Sequence, residues 1–361
     1  MNEDAPRTVD PDRLRETSQQ VFGALSGAMT AAMIYLGDRL GLYRALAGGA
    51  PVTSQELSDR TGLQERWVRE WLFQQGAAGL LAHQGEDRFA LSAEAEAVLA
   101  EEDHPAFGAG FFTHLPQTMR VAEQLPESFR SGLGLPYDAF GPEGAVGIER
   151  GFAPWFRSRL IPEALPQIEG LIERLASGVE VADIGCGSGV AVLELARHFP
   201  HSTFRGYDIS EHALARADEA RTEAALTNAT FHHAAREPLA EDGRYAFITT
   251  FDCLHDMTDP AAVIRSIRGA IAQDGVWLIA DIKAQPDYAS NVARNPMAAM
   301  MYGTSVLTCM SSALSKPGGR GLGTLGLHAA LAEQLAREAG FRRFAPLALD
   351  HPVNAFYVDR P

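Results

Sequence analysis

The sequence predicts a doubly wound α/β domain with a seven-stranded sheet, preceded by a mostly helical domain of the winged-helix kind. Three observations predict it. From Val179 onward, short apolar runs alternate with amphipathic helical patterns, the rhythm of βαβ units. The first run ends in "DIGCGSG", a glycine-rich turn that opens a helix. Ahead of it, "ELSDRTGLQERWVREWLFQQGAAGLLAHQGEDRFALS" reads as helix, tight glycine turn, helix and hairpin.

Composition sets the outer bounds. The chain has 361 residues, 46% of them hydrophobic and 21% charged, which is ordinary for globular domains and enough for two. A net charge of −15 opposes attraction to nucleic acid or to anionic lipid. Residues 1–20 are polar and acidic, without the apolar core of a signal peptide. No uncharged apolar run is expected to approach the ~20 residues that span a bilayer. Cys186, Cys253 and Cys309 lie far apart with no metal-ligand spacing, so a reduced, soluble, cytoplasmic protein is expected.

In chain order, residues 1–13 read as a disordered tail. Residues 14–103 form a helical dimerisation and winged-helix domain. Its first helix, Leu14–Ala47, carries many small residues that suit close packing on a partner helix, so a homodimer through the N-terminal helices is expected. Helices over Ser54–Thr61 and Gln64–Ala77 flank a turn at Gly62, and a hairpin surrounds Gly85. Residues 36–103 hold six basic and twelve acidic side chains, which argues against a nucleic-acid partner. Trp67, Val68, Trp71, Leu72 and Phe73 spread around the second helix, the pattern of a helix buried in protein. Residues 104–178, rich in aromatics, read as a helical linker and substrate lid.

Residues 179–361 carry the sheet. Strands are predicted at Val179–Ile184, Thr203–Asp208, Thr230–Ala234, Tyr245–Phe251, Val276–Ile282, Phe344–Leu349 and Asn354–Val358. Helices at Val190–Phe199, Glu211–Ala224, Pro260–Ala272 and Leu327–Ala339 fall between them, with an irregular insert at Lys283–Gly326. Ligands of such sheets lie beyond the carboxyl ends of the strands, where Gly185, Gly187 and Gly189 end the first strand. Asp208 ends the next strand about 20 residues on, placed to accept both hydroxyls of a ribose. A phosphate-binding loop would need Lys then Ser or Thr where Val190 and Ala191 stand. A dinucleotide turn would read GxGxxG rather than GxGxG. An adenosyl sulfonium cofactor, S-adenosylmethionine, has no pyrophosphate and needs no cationic clamp.

"VADIGCGSG", "YDIS" and "FDCLHDMTDP" resemble the class I S-adenosylmethionine-dependent methyltransferases, whose sheet is Rossmann-like, over roughly residues 179–361. "GLYRAL", "ELSDRTGL" and "RWVREWL" ahead of them resemble the winged-helix-bearing bacterial methyltransferases of small molecules, organised like the dimeric plant-type O-methyltransferases. The resemblance implies that Asp183 and Gly185–Gly189, with Cys186, line the methionine and ribose of the cofactor, that Asp208 holds the ribose, and that Ile209 and Phe251 lie beside it. An acid that often reads the adenine amino group is replaced by Ala235. Glu237 substitutes for it, or backbone groups read the adenine, or affinity is weak.

Methyl transfer to a hydroxyl also needs a base. The resemblance makes His255 that base, beside Asp256 and oriented by Asp281, while Met257 stands where the family commonly has Trp. A competing reading is metal-assisted C-methylation of an oxo acid, with His255 and Asp256 joined by His114, His233 or His328. A second is a regulator that binds the cofactor without turnover. Phe112, Trp155, Met301 and Tyr302 are the expected substrate-binding residues, with Met297, Met300 and Met310 as further soft wall. The glycine-rich stretch holding Lys316 and Arg320 reads as a lid connection. The leading expectation is O-methylation of a small aromatic or apolar molecule.

Overall fold

A computed structural model describes residues 8–361 and divides them into two compact units, one ending at Leu115 and the other starting at Pro116. The expected disordered tail therefore lies partly outside the described residues. Its last three residues are helical, because Asp10 caps a helix that begins at Pro11, accepting from the amides of Asp12 and Arg13.

The first unit contains α1 (Pro11–Arg39), α2 (Leu42–Leu46), α3 (Ser54–Thr61), α4 (Glu65–Ala77), the hairpin β1 (Ala82–His83) and β2 (Phe89–Ala90), and α5 (Ala93–Leu99). The single helix expected over residues 14–47 breaks at Gly41, which takes φ +71°. A reciprocal cap starts α3: the Thr53 hydroxyl accepts from the Glu56 amide, and the Glu56 carboxylate accepts from the Thr53 amide. Gly37 lets the end of α1 lie against the rings of Tyr43 and Trp71, since a Cβ there would sit 2.6 Å from both. The Trp71 indole donates to the Met33 carbonyl at 3.0 Å. Within this unit α4 buries only one face, through Val68, Trp71, Leu72 and Gln75, and leaves Trp67 81% exposed. That corrects the expectation of a helix buried around its circumference.

Helix α1 corrects another expectation. It is 29 residues long and contains an 18-residue window with mean hydropathy 1.3, long and apolar enough by length and composition to cross a membrane. The uncharged stretch Ser18–Gly37 runs through alternating small, polar and apolar residues, which hides its length from inspection.

The second unit begins with short helices: α6 (Leu115–Val121) runs on from the first unit, then α7 (Leu125–Ser131), α8 (Pro142–Trp155), a π-helical turn (Phe156–Ala164) and α9 (Leu171–Ser177). The sheet follows as β3 (Glu180–Ile184), α10 (Val190–His198), β4 (Thr203–Asp208), α11 (Glu211–Glu223), β5 (Ala229–His233), β6 (Tyr245–Phe251), α12 (Pro260–Ala270) and β7 (Ile271–Ile282). The expected irregular insert is instead helical, as α13 (Tyr288–Arg294), α14 (Ala298–Thr304), a second π-helical turn (Ser305–Cys309) and α15 (Met310–Ala313). Helix α16 (Ala329–Ala339) and strands β8 (Ala345–Pro346) and β9 (Asn354–Asp359) complete it.

Seven strands run in the order β5-β4-β3-β6-β7-β9-β8. The first five are parallel and the last two pair antiparallel, so β3 lies beside the point where the chain changes direction across the sheet. Both faces are covered by apolar side chains, Val181, Phe204 and Leu278 toward one cluster and Ile248, Trp277 and Leu335 toward the other. Buried on both faces, the central strands read as near-continuous apolar runs, and their carboxyl ends present Asp183, Asp208 and Asp252 together.

Candidate active site

A cavity of about 380 Å³ opens at those carboxyl ends, lined entirely by the second unit. The glycine turn forms its floor. Gly185 and Cys186 both donate to the Tyr207 carbonyl, at 2.8 and 3.1 Å, which fixes the turn to the next strand. All three glycines take positive φ. At Gly185 a Cβ would meet the Cys253 sulfur at 2.7 Å, and at Gly189 the Phe231 ring at 2.4 Å. Gly187 faces open space instead, and both its neighbours line the cavity.

Two carboxylates stand over this turn. The Asp183 side chain is buried, accepts from the Thr249 hydroxyl at 2.7 Å, and ionises at about 7 because burial disfavours its charged form and Asp208 adds repulsion. Asp208 accepts from the amides of Gly187 and Ser210, both at 2.8 Å. Burial raises its pKa, against those amide bonds. Asp252 and Asp256 also line the cavity, and burial raises both, Asp252 to about 7. Lys316 is the one cationic side chain among the lining residues, and Glu149 is already paired with Arg216. The pocket is thus arranged to receive a positively charged ligand.

Ile209, Cys186 and Phe251 line the cavity as expected. Glu237 does not: it is exposed and bonded to the His232 imidazole at 2.7 Å, so it is not brought to an adenine pocket. Ala234, Met257, Ala262 and Val263 form an apolar wall there.

His255 is 3% exposed, on a short turn after β6. Its Nδ1 bonds Oδ1 of Asp281, at the end of β7, at 2.6 Å. Burial works against the imidazolium, but Asp281 and the Cys309 thiol outweigh it and raise the His255 pKa well above the usual range. The second oxygen of Asp281 has no protein partner. Among the described residues, the one grouping of metal-type donors is Asp252, His255 and Asp281, within 4.8 Å of one another. Neither Asp256 nor His233 nor His328 joins it, and its imidazole and Asp281 are already bonded to each other.

Of the expected substrate residues, Phe112 belongs to the first unit and packs on that unit's core. Trp155 stacks on Phe356, ring centroids 5.0 Å apart, while its neighbours Phe152 and Phe156 line the cavity in its place. Met301 is buried with Ile282 and Leu325, and Tyr302 packs beside them.

Residues 104–178 were expected to supply a lid, but the sequence did not single out the strap within them that lies at the cavity. Gly134 donates to the Leu314 carbonyl at 3.0 Å, and Leu135 to the Ser311 hydroxyl at 2.8 Å. At the other end Asp138 accepts from the Ser210 hydroxyl and from the Glu211 amide. Between these anchors Tyr137 enters the cavity lining. The partners lie more than 70 residues from it, so no local pattern announces them.

Comparison with known proteins gives the same picture. Residues 175–336 match the family described as "Methyltransferase domain", and residues 28–101 the "Rv2258c-like winged HTH domain". A ubiquinone biosynthesis O-methyltransferase of Neisseria meningitidis is 30% identical over 114 residues, which is 30% of this chain and 46% of that enzyme. The chain thus matches about half the length of this curated relative. A Nostoc punctiforme protein assigned as an O-methyltransferase superposes with a TM-score of 0.71 at 18% identity, covering 98% of this chain and 99% of its own. Human N-acetylserotonin methyltransferase, solved with S-adenosylmethionine, gives 0.66 at 15%, covering 98% and 99%. At these identities the superpositions establish the fold. The acidic, glycine-floored cavity fits an adenosyl sulfonium: its carboxylates suit the cationic end, and its apolar wall suits a base. By these matches the chain carries a methyltransferase domain over residues 175–336, with an Rv2258c-like winged helix-turn-helix domain ahead of it over residues 28–101, and it has the fold of solved S-adenosylmethionine-dependent methyltransferases.

Proposed function

We propose that this chain methylates a hydroxyl group on a small aromatic or apolar molecule, with the His255–Asp281 pair taking the proton. The observation that supports this reading is the 2.6 Å bond between two buried side chains at the carboxyl ends of β6 and β7, where Cys253 and Asp256 line the cavity although His255 and Asp281 themselves do not. S-adenosylmethionine, when bound, supplies an activated methyl group. Asp208 would hold the ribose above the glycine turn, and Asp183 the charged methionine end.

Positioning accounts for much of such an acceleration, and the residues here supply it. Asp281 accepts at Nδ1 of His255 and so makes Nε2 the ring nitrogen that would take the acceptor's proton. Phe152 and Phe156 exclude water beside the turn, and Tyr137 lies across it. Met301 and Tyr302, packed on the residue that follows Asp281, are read as the wall on the acceptor side. Cationic Lys316 at the rim is too exposed to select a substrate by itself.

A second copy of the chain is read as covering α1, where Leu14, Phe22, Leu25, Met29 and Leu36 recur along one exposed stripe. Three cysteines without a disulfide suit the cytoplasm, the compartment we propose. The test is incubation with S-adenosylmethionine and a panel of phenols, catechols and oxo acids, with mass spectrometry of products. A methyl ether from a hydroxylated aromatic supports the reading. Carbon methylation of an oxo acid, or binding without any product, overturns it.

A further inference from the structure

We propose that residues 133–140 are a strap that lifts for S-adenosylmethionine to enter and leave, with Tyr137 closing on the bound cofactor and Asp138 as the positioning residue that latches it. The strap runs between Gly132, which ends α7, and Gly141, which precedes α8, and both take positive φ, +76° and +68°. Glycine at each end lets the backbone turn there without strain from a side chain. Polar bonds more than apolar packing hold the segment down. Leu133, Pro136 and Ala139 are exposed, and Phe140 is its one buried side chain. Segments with so little buried apolar surface open locally at low cost.

Two anchors hold the strap, on either side of the glycine turn. At one, the Gly134 amide donates to the Leu314 carbonyl at 3.0 Å and the Leu135 amide to the Ser311 hydroxyl at 2.8 Å. Ser311 lies on α15, which packs on the turn after β6, and its neighbour Ser312 lines the cavity. At the other, the Asp138 carboxylate accepts from the Ser210 hydroxyl and, at 3.1 Å, from the Glu211 amide, where β4 leads into α11. Strand β3, with its glycine turn, lies between β4 and β6, so the strap crosses the cavity above that turn. Gly134 fits for want of space: a Cβ there would lie 1.9 Å from the Ser311 carbonyl oxygen.

The latch is tied to the carboxylate read as the ribose acid. The Glu211 amide belongs to the unpaired first turn of α11, whose positive end favours the Asp138 carboxylate. The Ser210 amide donates to Asp208 at 2.8 Å, so the residue that Asp138 grips also bonds Asp208. Between the anchors the Tyr137 ring reaches the cavity lining, set edge-on to Phe140 with centroids 6.3 Å apart. An aromatic ring over a cationic ligand adds attraction as well as cover. Both anchors join groups of this chain only, so the strap is latched before a ligand arrives and must release to admit one.

The test is the association and dissociation rates of S-adenosylhomocysteine on the full-length chain, by surface plasmon resonance, with each variant's melting temperature alongside. Asp138→Ala removes the acceptor for Ser210 and Glu211. It should raise the dissociation rate about tenfold or more, the scale of a lost hydrogen bond to a charged group, and raise the association rate as well. Gly134→Ala, which disturbs the other anchor, should move both rates the same way, and serves if the first variant does not fold. Tyr137→Ala should speed dissociation, and Tyr137→Phe should not. Damage to the site itself would slow association instead. Unchanged rates in both anchor variants, faster dissociation with association unchanged or slower, or wild-type dissociation from Tyr137→Ala would overturn the proposal. Absence of binding to the wild type would overturn it together with the cofactor assignment. No methyl transfer is measured, so the outcome does not depend on which atom accepts the methyl group.

Discussion

Replacing Asp183 by Asn separates what this carboxylate costs the fold from what it does for the ligand. The Asp183 side chain is buried, bonded by one hydroxyl, and ionises at about 7 rather than 3.8. Because the folded pKa is the higher one, the unfolded chain releases this proton first. Stability is then unaffected below pH 4, falls as pH rises from 4 to 7, and stays reduced above. At ~1.4 kcal/mol per unit, the raised pKa costs about 4 kcal/mol at pH 8, where the buried group is charged, and about 2 kcal/mol at pH 5, where the fold holds it protonated. Asn is isosteric and can still accept from Thr249, so Asp183→Asn should stabilise the ligand-free protein by roughly those amounts. Urea unfolding at the two pH values measures the difference. Calorimetry should show the opposite effect on function, weaker S-adenosylmethionine binding, because an anion facing the sulfonium end is gone. Destabilisation by Asn at both pH values, or a gain that does not grow with pH, would refute the claim that this buried carboxylate is kept at a cost for a cationic ligand.

His255→Gln should lower kcat by ~10²–10⁴-fold, with S-adenosylmethionine titration little changed. Since the imidazolium is favoured well beyond neutrality, the wild-type rate should climb with pH above 7, and stopped assays across pH should show that climb flattened in the variant. Gly187→Ala should fold at a cost of about 1–2 kcal/mol for its positive φ, yet bind cofactor poorly. Gly189→Ala should lose roughly 2–5 kcal/mol in urea unfolding, since its methyl group would overlap the Phe231 ring as well. Phe22→Glu with Leu25→Glu should turn a dimer into a monomer by light scattering, with the methyltransferase domain's melting transition preserved.

The strand–turn–helix around Asp183 and the carboxylate at Asp208 were legible because every residue involved is local: an apolar run, glycines, and an acid one strand later. Asp281 was legible only through the resemblance. Asp252 stood unassigned inside the quoted "FDCLHDMTDP" motif, and Tyr137 was not legible because a segment distant in sequence carries it to the cavity. The helices at 288–313 escaped notice because Pro296, Gly303, the π-helical spacing of Ser305–Cys309 and short lengths blur a 3.6-residue period. Glu237 failed as the adenine acid for a tertiary reason: His232 lies close enough to bond it outside the cavity. Trp155 failed similarly, because Phe356 on β9 stacks on it.

Calorimetric titration of the wild-type chain and of Asp208→Ala with S-adenosylmethionine tests the central claim most directly. Saturable one-site binding to the wild type, and a large loss of affinity on removing the carboxylate that accepts from Gly187 and Ser210, is the predicted result. Absence of binding to the wild type, or equal binding by both proteins, would contradict the assignment of this cavity.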